Sequence, residues 1–221
     1  MNRVVTFFDV DNTLLDNDAV HRDLSDHLER QFGSESRDRY WAIFENLRSE
    51  VGYADYLGAL QRYRREAPND SRLMLMSGYL MDYPFAGRVY PGALAAIERM
   101  SGFGPTVILS DGDVVFQPRK IQRSGLWEAM HGRVLIYIHK EEMLQEVAKL
   151  YPAEHYVMVD DKLRILTAMK SQWGARLTTI FPRQGHYALD PKILADFPAA
   201  DLSIDRIANL SDSDLPQALS R

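Results

Sequence analysis

The residues that most constrain this 221-residue chain stand close to its start. Val4, Val5, Phe7 and Phe8 form a nearly continuous run of β-branched and aromatic side chains, and the run stops at two carboxylates, Asp9 and Asp11. A run of that kind fits a short strand buried on both faces, as in parallel sheets covered by helices. The carboxylates then stand at the strand's carboxyl end, where open α/β sheets bind their ligands. Two acids one residue apart at that place can hold a divalent cation through hard oxygen ligands. A carboxylate can also accept a phosphoryl group as a nucleophile. Asp-Asn-Thr is equally ordinary turn chemistry, so the choice between turn and site falls to later segments.

With 46% hydrophobic residues, the chain can build one principal core with a smaller insertion. Its net charge of -5 argues against a non-specific nucleic-acid binder, which needs a basic footprint. An anionic substrate would need local neutralisation by a metal or by a few placed cations. The absence of cysteine excludes disulfides, thiolate nucleophiles and zinc–thiolate sites. The first strand begins by residue 4, leaving no room for a signal peptide, and no apolar run approaches membrane-spanning length. The expectation is a cytoplasmic protein with neither nucleic acid nor membrane as partner.

From Asp16 to about Arg88 helical spacing takes over. Val20, Leu24 and Leu28 recur every four residues; Tyr40, Phe44, Leu47 and Val51 keep the rhythm, followed by Tyr53, Leu57, Leu60 and then Leu73, Met76, Leu80. These predict four amphipathic helices, jointed at Gly33-Ser34, Gly52 and Pro68-Asn69-Asp70, with Asp70 or Ser71 capping the fourth. Trp41, Phe44, Met74, Met76 and Met81 read as bundle core, and Arg62, Arg64 and Arg65 as a solvated face.

At Tyr90-Pro91-Gly92 α/β character resumes. A helix over residues 93–100 precedes the strand Thr106-Val107-Ile108-Leu109, which ends in Ser110-Asp111-Gly112. A helix near 117–124 follows, then a strand over 134–138 and a helix opened by Lys140. Tyr156-Val157-Met158-Val159 forms a strand ending in Asp160-Asp161-Lys162. A helix to about 172, a strand over 177–181, a Gly185-His186 loop and a short strand at 202–204 complete the pattern, and the polar tail from Ser211 is expected to fray.

Three strands therefore end in polar residues, and their convergence on one rim makes a site. Ser110 can donate its hydroxyl to an oxyanion, with the Asp111 and Gly112 amides as a nest for phosphate. Lys140 opens its helix against the preference of the helix dipole, which a phosphoryl oxygen or the Asp9 carboxylate would explain. Lys120, within Pro-Arg-Lys-Ile-Gln-Arg, competes for that role but reads as solvated. Asp160 and Asp161 repel each other unless a cation lies nearby; the economical assignment makes Asp160 a magnesium ligand and Asp161 the acid that orients it.

The order Asp9-Val-Asp11-Asn-Thr, Ser110, Lys140 and Asp160-Asp161 resembles the haloacid dehalogenase-like hydrolase superfamily over the whole chain. The helical insertion is similar to the cap of its phosphoglycolate phosphatase-like branch, although Asn12 stands where glycine is common. The resemblance implies a Rossmann-like three-layer α/β/α core of mostly parallel strands (residues 1–15 and 89–221) and a helical cap (residues 16–88). It implies that Asp9 is a nucleophile forming an aspartyl phosphate and that Asp11 is the general acid and base. Ser110 and Lys140 would hold phosphoryl oxygens, while Asp9, the Asp11 backbone carbonyl and Asp160 would hold Mg2+. The expected activity is hydrolysis of a small phosphate monoester. A phosphomutase needs the same carboxylates, whereas a haloacid dehalogenase has no use for Asp11. A receiver-like signalling protein would place its paired acids at the first strand and be shorter, and a non-catalytic phosphate- or partner-binding protein would have no need of Asp9 and Asp11 intact.

Overall fold

The computed structural model describes residues 2–211. Six strands, β1 (Asn2–Phe8), β2 (Thr106–Asp111), β3 (Val134–Tyr137), β4 (Ala153–Val159), β5 (Leu177–Pro182) and β6 (Leu202–Ile204), make one sheet in the order β3-β2-β1-β4-β5-β6. Every neighbouring pair is parallel. The chain steps outward from β1 through β2 to β3, then returns to the other side of β1 with β4. That reversal opens a crevice at the carboxyl ends of β1 and its neighbours, where such sheets bind ligands.

Alternation along β1 feeds two cores. Val4 and Phe8 join Ile108, Val157 and Val159 on one face; Val5 and Phe7 join Val107, Leu109 and Met158 on the other. Helices α5 (Ala93–Ser101) and α6 (Phe116–Arg123) cover the first face through Ile97, Met100 and Ile121. Helices α8 (Leu144–Leu150) and α9 (Leu163–Trp173) cover the second through Val147, Leu166 and Met169. Each fully buried aliphatic or aromatic side chain here contributes about 1.5–3 kcal/mol. The three-layer Rossmann-like arrangement expected from the sequence is the one observed.

Between β1 and α5 lie α1 (Asn17–Phe32), α2 (Ser34–Val51), α3 (Tyr56–Arg64) and α4 (Arg72–Asp82). Asp16 caps α1 by accepting from the Ala19 amide at 2.8 Å, and Asp55 caps α3 by accepting from Gly58 at 2.6 Å. Gly52 ends α2 in the left-handed conformation, φ 84°. Their buried stripes are continuous with the first core: Phe116 of α6 packs 5.1 Å from the Tyr56 ring and 5.8 Å from Phe85.

Several local expectations differ from the structure. Tyr53 lies in the loop before α3, not on a helix. Ser71 makes no side-chain cap, whereas Asp70 accepts from the Arg72 amide at 3.0 Å. Met74, expected in the bundle core, is 77% exposed because it falls off the stripe formed by Leu73, Met76 and Leu80. Arg62 pairs with Glu50 on the surface, as its charge run suggests. Lys140 does not open an α-helix: it starts a single 3-10 turn, Lys140–Glu142, before α8. Its amide donates to Asp111 Oδ1 at 2.8 Å, so the dipole argument for that lysine does not apply. A short helix α7 (Leu126–Ala129) follows α6, and α10 (His186–Leu189) and α11 (Pro191–Asp196) stand where the sequence predicts only a loop. The expected polar tail, beyond Ser211, lies outside the described residues.

Candidate active site

The carboxyl ends of β1, β2 and β4 meet around Lys140. Its Nζ lies 2.5 Å from Asp9 Oδ1, 2.7 Å from Asp160 Oδ2 and 3.2 Å from the Leu109 carbonyl oxygen. Burial alone would lower this lysine's pKa, but the Asp160, Asp9 and Asp111 carboxylates outweigh it and hold the ammonium well above the ordinary range. The supporting backbone is tied down by the sheet: the Asp9 amide donates to Val159 O, the Asp160 amide to Ile180 O, and the Asp161 amide to Thr13 Oγ1 at 3.0 Å.

Asp9, Asp160 and Asp161 are buried together, with one carboxylate oxygen from each within 4.8 Å of the others. Asp9 Oδ2 and both oxygens of Asp161 have no hydrogen-bond partner among the described residues. Burial pushes the Asp160 carboxyl up to about 6 despite the pull of Lys140. Burial also drives Asp161 well above the carboxylate range. Unpaired, mutually repelling oxygens of this kind fit a hard divalent cation, which would supply the missing partner. Asp160 Oδ1 is already engaged by the Lys162 amide at 2.8 Å, so Asp161, expected only to orient its neighbour, offers the freer oxygens.

The Asp11 carboxylate is held from α6, beside this cluster. Its Oδ1 accepts from Lys120 Nζ at 2.7 Å, and Gln117 Nε2 stands 3.4 Å from its Oδ2. Gln117 Nε2 also donates to Ser110 Oγ at 2.9 Å. Asp111 receives the Lys140 amide on its carboxylate, and burial raises its pKa. The Gly112 amide donates to Tyr137 O at 2.9 Å, because β2 stays paired with β3 to Asp111, beyond the expected Leu109; it is not free for a phosphate nest. A mostly apolar cavity of about 610 Å³ opens beside Gly112, Ile138 and His139.

The sequence pattern of the haloacid dehalogenase-like hydrolases matches residues 5–171. A crystal structure from Burkholderia xenovorans LB400, of a protein classed with these hydrolases, is 66% identical, with a TM-score of 0.93 over 97% of this chain and 100% of that one. The chain belongs to this family. No curated protein matches it. Two more distant structures share the fold of this haloacid dehalogenase-like hydrolase at 18% identity and a TM-score of 0.60. They are the magnesium-bound HAD-hydrolase YfnB of Bacillus subtilis (96% of this chain, 98% of that one) and the L-2-haloacid dehalogenase of Xanthobacter autotrophicus (98% and 99%).

In this hydrolase, the structure brings Asp9, Lys140, Asp160 and Asp161 into one cluster and places Ser110, Asp111 and Asp11 around it. Lys120 is a correction to the sequence reading: it is 0% exposed. Together with Phe116, Gln117, Ile121 and Ser124 it forms the inward stripe of α6, leaving Arg119 and Arg123 outside. The i, i+3, i+4 spacing of those residues is the available signal, masked by neighbouring arginines. Gln117, Thr13 and Lys162 also escape the sequence reading. Lys162 opens α9 over the acidic cluster; burial would lower its pKa, but Asp161, Asp9 and Asp160 raise it. Among side chains of the helical insertion, Tyr56 is buried, Trp41 stacks on His21 with ring centroids 3.7 Å apart, and Arg48 lies over the Tyr187 ring.

Proposed function

We propose that this hydrolase cleaves small phosphate monoesters through a phosphorylated Asp9, with Mg2+ held by Asp9, Asp160 and the Asp11 carbonyl, and Asp161 within reach. The observation that carries this reading is the buried triad Asp9, Asp160 and Asp161 with its unpaired oxygens. Displacement of a neutral carbon-bound halide gives no reason to gather so many acids, whereas an anionic phosphate approaching an anionic nucleophile requires a cation between them. The magnesium bound to the Bacillus subtilis relative agrees with that choice of ion. When bound, the cation offsets charge on the phosphoryl oxygens.

The chain's own residues supply the remainder. A carboxylate oxygen of Asp9 attacks phosphorus in line with the leaving oxygen, and the bond from phosphorus to that oxygen breaks. Asp11, two residues on, gives its proton to the departing alcohol and then takes one from the water that attacks the phosphoaspartate, releasing phosphate and restoring Asp9. Lys140 and the Ser110 hydroxyl bind equatorial oxygens. The domain division expected from the sequence, with residues 16–88 as a cap, belongs to the same proposal: Asn17 and Tyr56 of this insertion reach Lys120 beside Asp11, and the insertion would select the alcohol.

Magnesium-dependent hydrolysis of an aryl phosphate, abolished by EDTA and by Asp9→Asn, is the expected result. A second reading, haloacid dehalogenation, is favoured by the likeness to the Xanthobacter autotrophicus enzyme. Release of halide from a 2-haloacid, without phosphatase turnover, would replace the first reading with it.

A further inference from the structure

Lys120 takes no part in the reaction proposed above, yet it is a fully buried ammonium beside the general acid. Its Nζ lies 2.7 Å from Asp11 Oδ1 and 3.1 Å from Asn17 Oδ1. The ring centroids of Phe116 and Tyr56 stand 5.4 Å and 5.9 Å away. Burying such a charge is costly unless it is paired and hydrogen-bonded, so ammonium and carboxylate hold each other in place. Gln117, one turn earlier on α6, stands beside the second Asp11 oxygen and ties the pair to Ser110. On the other side, Asn17 Nδ2 reaches the Tyr56 hydroxyl at 3.4 Å, linking the pair to α3. The Asp11 side chain is 23% exposed and would otherwise be free to rotate toward solvent.

We infer that Lys120 is a positioning residue for Asp11, fixing the carboxylate in the rotamer from which a proton reaches the leaving oxygen. The inference rests on the phosphatase reading. Lys120 contributes through Asp11 and has no contact with the ester. Proton transfer is steeply sensitive to placement, so the contribution of Lys120 depends on how much the leaving group needs a proton. An alkoxide needs one; a nitrophenolate leaves without it.

The test compares Lys120→Met with wild type, both loaded with Mg2+, on a simple alkyl phosphate and on p-nitrophenyl phosphate, together with a crystal structure of the variant. The alkyl ester is expected to lose about 100-fold in kcat/KM and the aryl ester no more than a few-fold, with Asp11 rotated away and Asp9, Lys140 and Asp160 in place. Lys120→Arg should recover part of the alkyl rate, and on an Asp11→Asn background Lys120→Met should add no leaving-group dependence. Lys120→Gln serves the same comparison if Lys120→Met does not fold. Equal losses on both esters, or an unmoved Asp11 carboxylate, would overturn the inference. Wild type inactive on both esters would remove the phosphatase reading instead, and the Asp11 rotamer in the variant would still decide the positioning role.

Discussion

Asn12 and Asp18 exchange two hydrogen bonds across the turn that leaves β1. Asn12 Nδ2 donates to Asp18 Oδ1 at 3.0 Å, and the Asp18 amide donates to Asn12 Oδ1 at 3.1 Å. Asn12 itself sits at φ 60°, in the left-handed region that glycine and asparagine tolerate best. Asparagine in the place where the family commonly has glycine is therefore the same backbone solution with a side-chain tie added. Asn12→Ala should lose the tie and add about 1–2 kcal/mol of backbone strain, whereas Asn12→Gly should lose only the tie. Urea denaturation of the two variants is expected to rank alanine below glycine.

The same Asp18 accepts from His186 Nδ1 at 2.6 Å, joining α1 to α10. Burial would raise the Asp18 carboxyl, but the hydrogen bonds from His186 and Asn12 outweigh it and bring its pKa below the ordinary value. An acid with a depressed folded pKa contributes stability above its unfolded pKa of about 4 and loses that contribution as pH falls through the folded value. Asp18→Asn should therefore lower stability at neutral pH and flatten the acid limb of the stability profile. Melting temperatures across pH 2–6 (roughly the carboxylate range) check this.

Asp160 and Asp161 carry the opposite sign. Both are raised by burial, Asp160 to about 6. In the metal-free protein the folded state keeps protons that the unfolded chain gives up, so stability falls as pH rises from the ordinary carboxylate range through about 6. A divalent cation bound there would displace those protons and reverse the loss. Magnesium should thus raise the melting temperature more at about pH 8 than at about pH 5, on either side of these carboxyl groups. Asp160→Asn or Asp161→Asn should shrink the difference.

Lys140 is the only lysine that neutralises both Asp9 and Asp160 directly among the described residues. Breaking a buried pair by removing one partner typically costs about 3–5 kcal/mol. Lys140→Met is expected to lose stability on that scale, to recover part of it on addition of magnesium, and to lose turnover. Denaturation with and without the ion measures the first two effects.

Much of this site is legible in the sequence alone. Asp9, Ser110 and Asp160 announce themselves because buried parallel strands read as nearly continuous apolar runs, so the polar residue at the end of each run marks the rim. Lys140 is found by its place in the motif order, though its local backbone is not: a 3-10 turn held by Asp111 has no sequence signature of its own. The role of the Gly112 amide depends on how far β3 pairs with β2, which is a tertiary fact. Lys120 and Gln117 stay hidden because a polar residue on an inward helix stripe looks the same as one on the outside until its partner, more than a hundred residues away, is placed beside it.

In the proposed reaction, capture of the phosphoryl group on Asp9 is the step from which the other roles follow. Protein quenched in acid during turnover of a phosphate ester with magnesium, then digested, should yield the peptide containing Asp9 heavier by one phosphoryl group, and Asp9→Asn protein should not. A chemically competent wild type whose Asp9 peptide never gains that mass, with the label on another residue or on none, would contradict this mechanism.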